Sequence, residues 1–350
     1  MSELAAAPTL VLVANAGDGS ISTFRQVDGV LERLAVTPGL PGCSTFAIDG
    51  DRNLVFAGVK GHDGGPAAVV TLTLDRATGA LTPTSRLDLP DGGLNYVALT
   101  REGSVLLGAS YGGNYGFSAS VAGGGVVSDP ITRVSFTHLH SVLPSHDGNF
   151  AYFVSLGDDL IAQYAIAEDA SLHALSPATV AAPTDSGPRH LAVSAAGDAV
   201  YVLTEFTAEV LHFARDRETG ALELVAATPA FDPSTGLAPS KLGLDPKTHH
   251  VIWGADLQFG ADESHLWASE RAESTLASLA VAADGTLSAP TGFTTTEPQP
   301  RGIALSADGA YLIATGERST TVSVYAVHGG ELELLQQIET GAGANWVRFV

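Results

Sequence analysis

Apolar residues along this chain come in short runs that close in small residues. VLVANAG from Val11, LVFAGVK from Leu54, VLLGASY from Val105 and YFVSLGD from Tyr152 share the form, as do VYVLTEF from Val200, LWASERA from Leu266 and YLIATGE from Tyr311. Such runs, bounded by turn residues, predict short β-strands. Ahead of each copy but the first lies another strand and a polar turn: FAIDGDRN, VALTREGS, VLPSHDGN, LAVSAAGD, LQFGADES and IALSADGA. Behind most copies a third strand and a turn lead to a fourth, as in VLHFARDRETGALEL and VSVYAVHGGELEL.

The copies start 43, 51, 47, 48, 66 and 45 residues apart, the period of a four-stranded propeller blade. The predicted fold is therefore all-β, a seven-bladed β-propeller in one domain spanning residues 1–350, with a loop insertion at about 231–254 in the long interval. The Val11 copy has no strand before it, and the missing piece is NWVRFV, Asn345–Val350. Pairing Trp346–Val350 with Val11–Asn15 closes the ring without an open edge. A solenoid would need capping repeats, and none is visible.

Hydrophobic content of 45% with 39 glycines and 18 prolines suits short strands and tight turns. The net charge of -21 argues against nucleic acid and anionic membrane surfaces as partners. Only three lysines (Lys60, Lys241, Lys247) stand beside fourteen arginines. Neither a signal peptide nor an apolar run of about 18 residues is evident. The single cysteine, Cys43, excludes an intramolecular disulfide and fits a reducing cytoplasm. A monomer or small homo-oligomer is expected.

The alignment places one residue immediately before each inner strand: Ser44, Asn95, His140, Arg189, Ala255 (then Asp256), Arg301 and Asn345. Two residues past the small residue ending the second strand come Ala16, Val59, Ser110, Gly157, Glu205, Arg271 and Gly316. The two strands are antiparallel, so these positions share one channel mouth. Polar residues at strand ends also mark where solvent begins, and for Ser44, Asn95 and Asn345 that reading and a place in the site are equally open. It does not account for Arg189, Arg271 and Arg301, which would repel one another on a narrow rim unless an anion sat among them. Arginine offers a fork suited to carboxylate or phosphate. For Glu205 the plain alternative is a salt bridge to a rim arginine.

GPRHLAVS around Arg189, TEPQPRGIALSADGAYLIATG around Arg301, YVLTEFTAEVLHF around Glu205 and LHSVLPSHDG at His140 resemble the bacterial 6-phosphogluconolactonases of the seven-bladed propeller type. WGADLQFGADESHLWASER is similar to that family's Ala-Asp-Ile-His strand, with Gln258 where the family has histidine. The resemblance covers nearly the whole chain and extends to fungal carboxymuconate-cyclising enzymes. It implies sugar-lactone hydrolysis without a metal or other cofactor, and site roles for His140, Arg189, Glu205, Arg271 and Arg301. Poor matches at Cys43-Ser44 and Asn95-Tyr96 leave the identity of the lactone open.

Opening an acidic lactone, such as 6-phosphogluconolactone or a related aldono- or aldarolactone, needs an anion anchor, a base for water and donors for the oxyanion. Arginines serve the first and third needs. Glu205 is the favoured base, kept ionised by the arginines, with His140 as proton donor and Arg271 beside them. Arg189, Arg301, His190, Asn95, Ser110, Asp256, Gln258 and Asn345 are expected to contact substrate. The same groups run backwards would cyclise an unsaturated diacid, so hydrolase and cycloisomerase both remain. A non-enzymatic scaffold remains too, although it would show apolar patches on the face. A redox propeller would want metal ligands and more tryptophans. His138 and His140 share a strand face but lack an evident third zinc ligand. His249-His250 reads as a solvated turn, and Cys43 as a small packing residue.

Overall fold

In the computed structural model, which describes residues 9–350, seven four-stranded antiparallel sheets surround a central channel. The inner strands are Thr45–Asp49, Tyr96–Thr100, Leu139–Pro144, Pro188–Val193, Gly254–Phe259, Pro300–Leu305 and Ala344–Phe349. Each packs on the inner strand of the next blade, and Ala344–Phe349 returns against Thr45–Asp49. The second strands Leu54–Val59, Val105–Ser110, Phe150–Ser155 and Ala199–Thr204 are buried along their whole length. They lie between neighbouring blades, so both faces need apolar or small side chains. That is why the repeats read as unbroken apolar runs rather than alternating ones.

The closing blade unites both ends of the described chain. Val11 pairs with Phe349, Val13 with Val347 and Ala14 with Trp346. Trp346 also donates its indole N–H to the Phe46 carbonyl at 2.9 Å, tying the closing strand to the blade that follows. Polar turns join the inner strands to the second strands. In one, Ser145 and Asp147 bind the turn backbone while Gly148 holds a φ of 69°, where glycine carries no steric cost.

The inner strands carry the feature that positions the site. Leu139 pairs with Ser155 and Ser141 with Val154, which leaves His140 as an extra, unpaired residue. Arg189, Arg301 and Asn345 are skipped in the same way in their blades. In a fifth blade Ala255 and Asp256 are bulged out together. A β-bulge bends its strand and re-aims the side chain it frees. Those residues therefore sit inside the inner strand, whereas the alignment had placed them just before it. Only Ser44 and Asn95 precede their strands.

Between the outer strand Leu222–Pro229 and the inner strand Gly254–Phe259 runs the longest connection. It is tied down by a short bridge between Ala238 and Val251 and by the Ser240 N–H on the Phe206 carbonyl at 2.9 Å. A small cluster of Ala208, Leu237 and Ile252 anchors it to the propeller body.

Candidate active site

Arg189, Arg271 and Glu205 meet at the mouth onto which the inner strands open. Arg189 is 1% exposed and gives its Nε–H to Glu205 Oε2 at 2.8 Å and an Nη1–H to the Ala255 carbonyl at 2.5 Å. Arg271, also buried, reaches the same Glu205 Oε2 from Nη2 at 2.8 Å. It also donates to the carbonyls of Trp253 and Gly254 and lies 3.8 Å above the Trp253 ring. The Trp253 indole N–H completes the set on Glu205 Oε1 at 3.1 Å. Arg301 is looser: it pairs through Nη1 with Glu317 Oε2 at 2.9 Å.

Electrostatics follow from this crowding. Burial would raise the Glu205 carboxyl, but Arg271, Arg189 and Arg301 outweigh it and hold Glu205 below its ordinary value. Burial and the repulsion of Arg271 and Arg301 push Arg189 down to about 9. The arginines do repel one another, but Glu205 and Glu317 already supply two counter-charges from the protein itself. A carboxylate that accepts two guanidinium bonds and an indole bond is built to hold those groups in place. As a general base it has little lone-pair capacity left.

His140 differs. Its side chain is buried, and its Nδ1 finds no partner among the described residues. Burial first, then Arg189, His190, Arg301 and Arg271, drive it well below the usual histidine range. The imidazole is thus neutral near pH 7. Its ring meets Tyr111 and His190 edge-on, at 5.8 and 5.1 Å between centroids. His138 stacks on Tyr111 instead, at 4.3 Å.

One level deeper, four buried side chains from the inner strands cluster together. The rings of Tyr96, His190 and Trp346 contact one another edge-on at 5.1 to 5.8 Å. Asp256 joins them through Oδ1, 2.8 Å from His190 Nδ1, while its Oδ2 accepts the Ile303 N–H. Burial and Arg189 bring His190 down to about 4, so this contact is a hydrogen bond from a neutral ring rather than an ion pair. His190 and Asp256 thus belong to a cluster beneath the rim, not to the rim. Gln258 lies beyond it and lines a separate cavity of about 940 Å³ at the opposite mouth, because side chains two residues along a strand point to the next level of the channel.

Ser110 is spent on structure, donating to the Gly93 carbonyl at 2.8 Å and accepting from the Gly113 N–H. Asn95 caps the Tyr111 N–H with Oδ1. Asn345 is buried, and its Oδ1 has no partner among the described residues. His250 pairs with Glu273 at the surface. Among the described residues no three His, Cys, Asp or Glu side chains gather as metal ligands would. Cys43 is buried, and burial pushes its thiol up to about 12, which leaves it inert.

Strand pairing also corrects the second set of rim positions. Ala14, Gly58, Ala109, Val154, Leu203 and Thr315 are equivalent, because each faces the residue after the inner-strand bulge or its counterpart. Two residues on come Ala16, Lys60, Tyr111, Leu156, Glu205 and Glu317, with Arg271 in the remaining blade. The rim thus carries Lys60, Tyr111 and Glu317 where the alignment had Val59, Ser110 and Gly316. Glu317 and Trp253 are site residues that sequence reasoning missed. Counting from the last paired residue of each second strand would have found Glu317.

The long connection lies over this mouth. A cavity of about 380 Å³ opens beneath it, lined by Tyr111, Glu205, Lys241, Lys247, Trp253 and Glu317 among others.

A family model described as a lactonase, seven-bladed β-propeller, matches residues 10–349. Among curated relatives, the 6-phosphogluconolactonase of an Enterobacter species is 25% identical over 335 residues, covering 94% of this chain and 92% of the relative. That of Sodalis glossinidius is 27% identical over 344 residues, covering 97% and 98%. Among solved structures, a candidate 6-phosphogluconolactonase from Bacteroides uniformis superposes with a TM-score of 0.86 at 26% identity, covering 98% of this chain and 99% of that one. The periplasmic gluconolactonase of Pseudomonas aeruginosa gives 0.85 at 24% identity over the same shares.

Proposed function

The chain belongs to the seven-bladed β-propeller lactonase family, and on that premise we propose that it hydrolyses an acidic sugar lactone of the 6-phosphogluconolactone kind at the arginine-lined mouth. The observation that carries this assignment is a neutral, unpartnered His140 set among three guanidiniums, two of them locked in place by Glu205. The relatives' names supply the reaction class, and the arginines supply the preference for an anion.

Arg189 and Arg271 keep N–H groups that no protein acceptor among the described residues takes, and these face the oxyanion that develops as the ring carbonyl is attacked. His140 takes a proton from water as the water oxygen bonds to the carbonyl carbon. When the ring C–O bond breaks, the imidazolium returns that proton to the leaving alkoxide. Glu205 is the positioning residue, since it fixes two guanidiniums and the Trp253 indole. The roles expected from the sequence are thereby exchanged: the carboxylate orients, and the histidine moves the proton. A buried, unpaired Cys43 fits a reducing cytoplasm as the site of action.

Continuous acid release from phosphorylated, carboxylated and neutral sugar lactones tests the assignment. His140→Gln should lower kcat by about 10²–10⁴ on whichever lactone is best. No release above the uncatalysed rate with any lactone overturns the activity, and full kcat in His140→Gln removes the histidine from its role.

A further inference from the structure

All three lysines of the chain come to one mouth. Lys60 stands on the rim at the position that is Glu205, Arg271 or Glu317 in other blades. Lys241 and Lys247 belong to the long connection and line the cavity beneath it. The chain has 38 acidic residues against 17 lysines and arginines, so a lysine on such a surface should find a carboxylate with ease. Yet among the described residues no lysine is in an ion pair. The carboxylates on the cavity wall are committed elsewhere, Glu205 to Arg189 and Arg271, and Glu317 to Arg301. Asp245, the third acid of the wall, turns Oδ1 back onto its own loop at the Lys247 N–H. Lys247 Nζ instead lies 6.0 Å from the centre of the Trp253 ring, the ring on which Arg271 stacks.

We propose that Lys241 and Lys247 form a distal anion subsite under the cap, which holds a phosphate or carboxylate remote from the lactone carbonyl. This rests on the lactone-hydrolase reading and assigns residues outside the arginine cluster to the substrate's remote acidic group. The arginines are fixed by Glu205, Glu317 and the backbone, and the few N–H groups that Arg189 and Arg271 keep free suit the reacting carbonyl. The lysines carry whole ammonium groups with no protein partner, and a point charge suits a phosphate that needs no forked geometry. Glu205 and Glu317 form walls shared by the arginine cluster and the capped cavity, so a lactone seated on the arginines extends its far end toward the lysines.

The double variant Lys241→Ala/Lys247→Ala, made in the full chain, tests the subsite directly. Both residues are exposed, so the fold should survive. For 6-phosphogluconolactone, kcat/KM should fall about 10- to 100-fold, as expected for lost charge-assisted contacts. For the neutral gluconolactone the change should stay under about twofold. Equal losses on both substrates, or none on either, overturn the subsite. A loss that vanishes in 0.5 M salt makes the lysines steering charges rather than contacts, which also overturns it. Titration with 6-phosphogluconate and with gluconate reads the same question without turnover. Should no lactone be hydrolysed, a preference for the phosphorylated acid that disappears in the double variant still upholds the subsite, and its absence rejects it.

Discussion

At the scale of single residues, the rim shows how neighbours decide what a carboxylate does. Glu205 accepts from Arg189, Arg271 and Trp253, so its negative charge is the counter-charge for two buried guanidiniums. Glu205→Gln keeps one acceptor oxygen but leaves those cations uncompensated, at a cost of about 3–5 kcal/mol for breaking a buried pair. The expected result is a clear fall in Tm and a raised KM, with kcat lowered less than in His140→Gln. Thermal melting beside steady-state kinetics checks it. An unchanged Tm with kcat down a thousandfold would return the base role to Glu205. Sequence alone brought out Glu205, Arg189 and Arg271, because charged residues at repeat positions stand out. It could not reveal that Trp253 shares the carboxylate, since Trp253 belongs to the connection rather than to any repeat.

Among the strands, the ring and its closure were legible because burial on both faces forces a recurring apolar run, from Val11 through Tyr311. The rim register was less so. Small residues occupy two successive ladder positions in several second strands, as with Ala57-Gly58 and Gly108-Ala109, so an alignment anchored on them slips by one. The bulges at His140, Arg189, Arg301 and Asn345 leave no mark in composition, yet they aim the rim side chains. The closing strand offers the direct test of the architecture. Removing residues 345–350 strips the pairing from Val11–Ala14 and the Trp346 bond to Phe46. Melting followed by circular dichroism should then lose its single cooperative step or shift down by many degrees, and an unaltered transition would contradict the ring closure.

For the molecule as a whole, histidines buried in neutral form, His140 and His190 at the channel and His212 in an outer strand, set a response to acid that its surface charge does not. His190, at about 4, and His140, lower than usual, both bind protons less readily folded than unfolded. Their stability contribution is therefore complete above the unfolded histidine value near 6.5 and is lost as pH falls below it, at about 1.4 kcal/mol per pH unit for each. Surface carboxylates scarcely titrate between pH 6.5 and 5.5, so relief of their mutual repulsion cannot offset the loss. Urea unfolding at pH 7.5 and 5.5 should show a drop of at least about 2–3 kcal/mol, and His190→Gln should reduce it by about 1.4 kcal/mol. A flat profile would mean that these imidazoles are charged in the fold. The cluster of Tyr96, His190, Asp256 and Trp346 has a different reach. Tyr96, Asp256 and Trp346 border the cavity at the far mouth, which none of Arg189, Arg271, Glu205 or His140 lines, so the two mouths present different surfaces. In the proposed reaction, lactone and acid would then share the arginine mouth and one set of cations. On the proposed reading the newly formed carboxylate is an anion held among cations, so added product acid should inhibit competitively with the lactone, which initial rates at several product concentrations check.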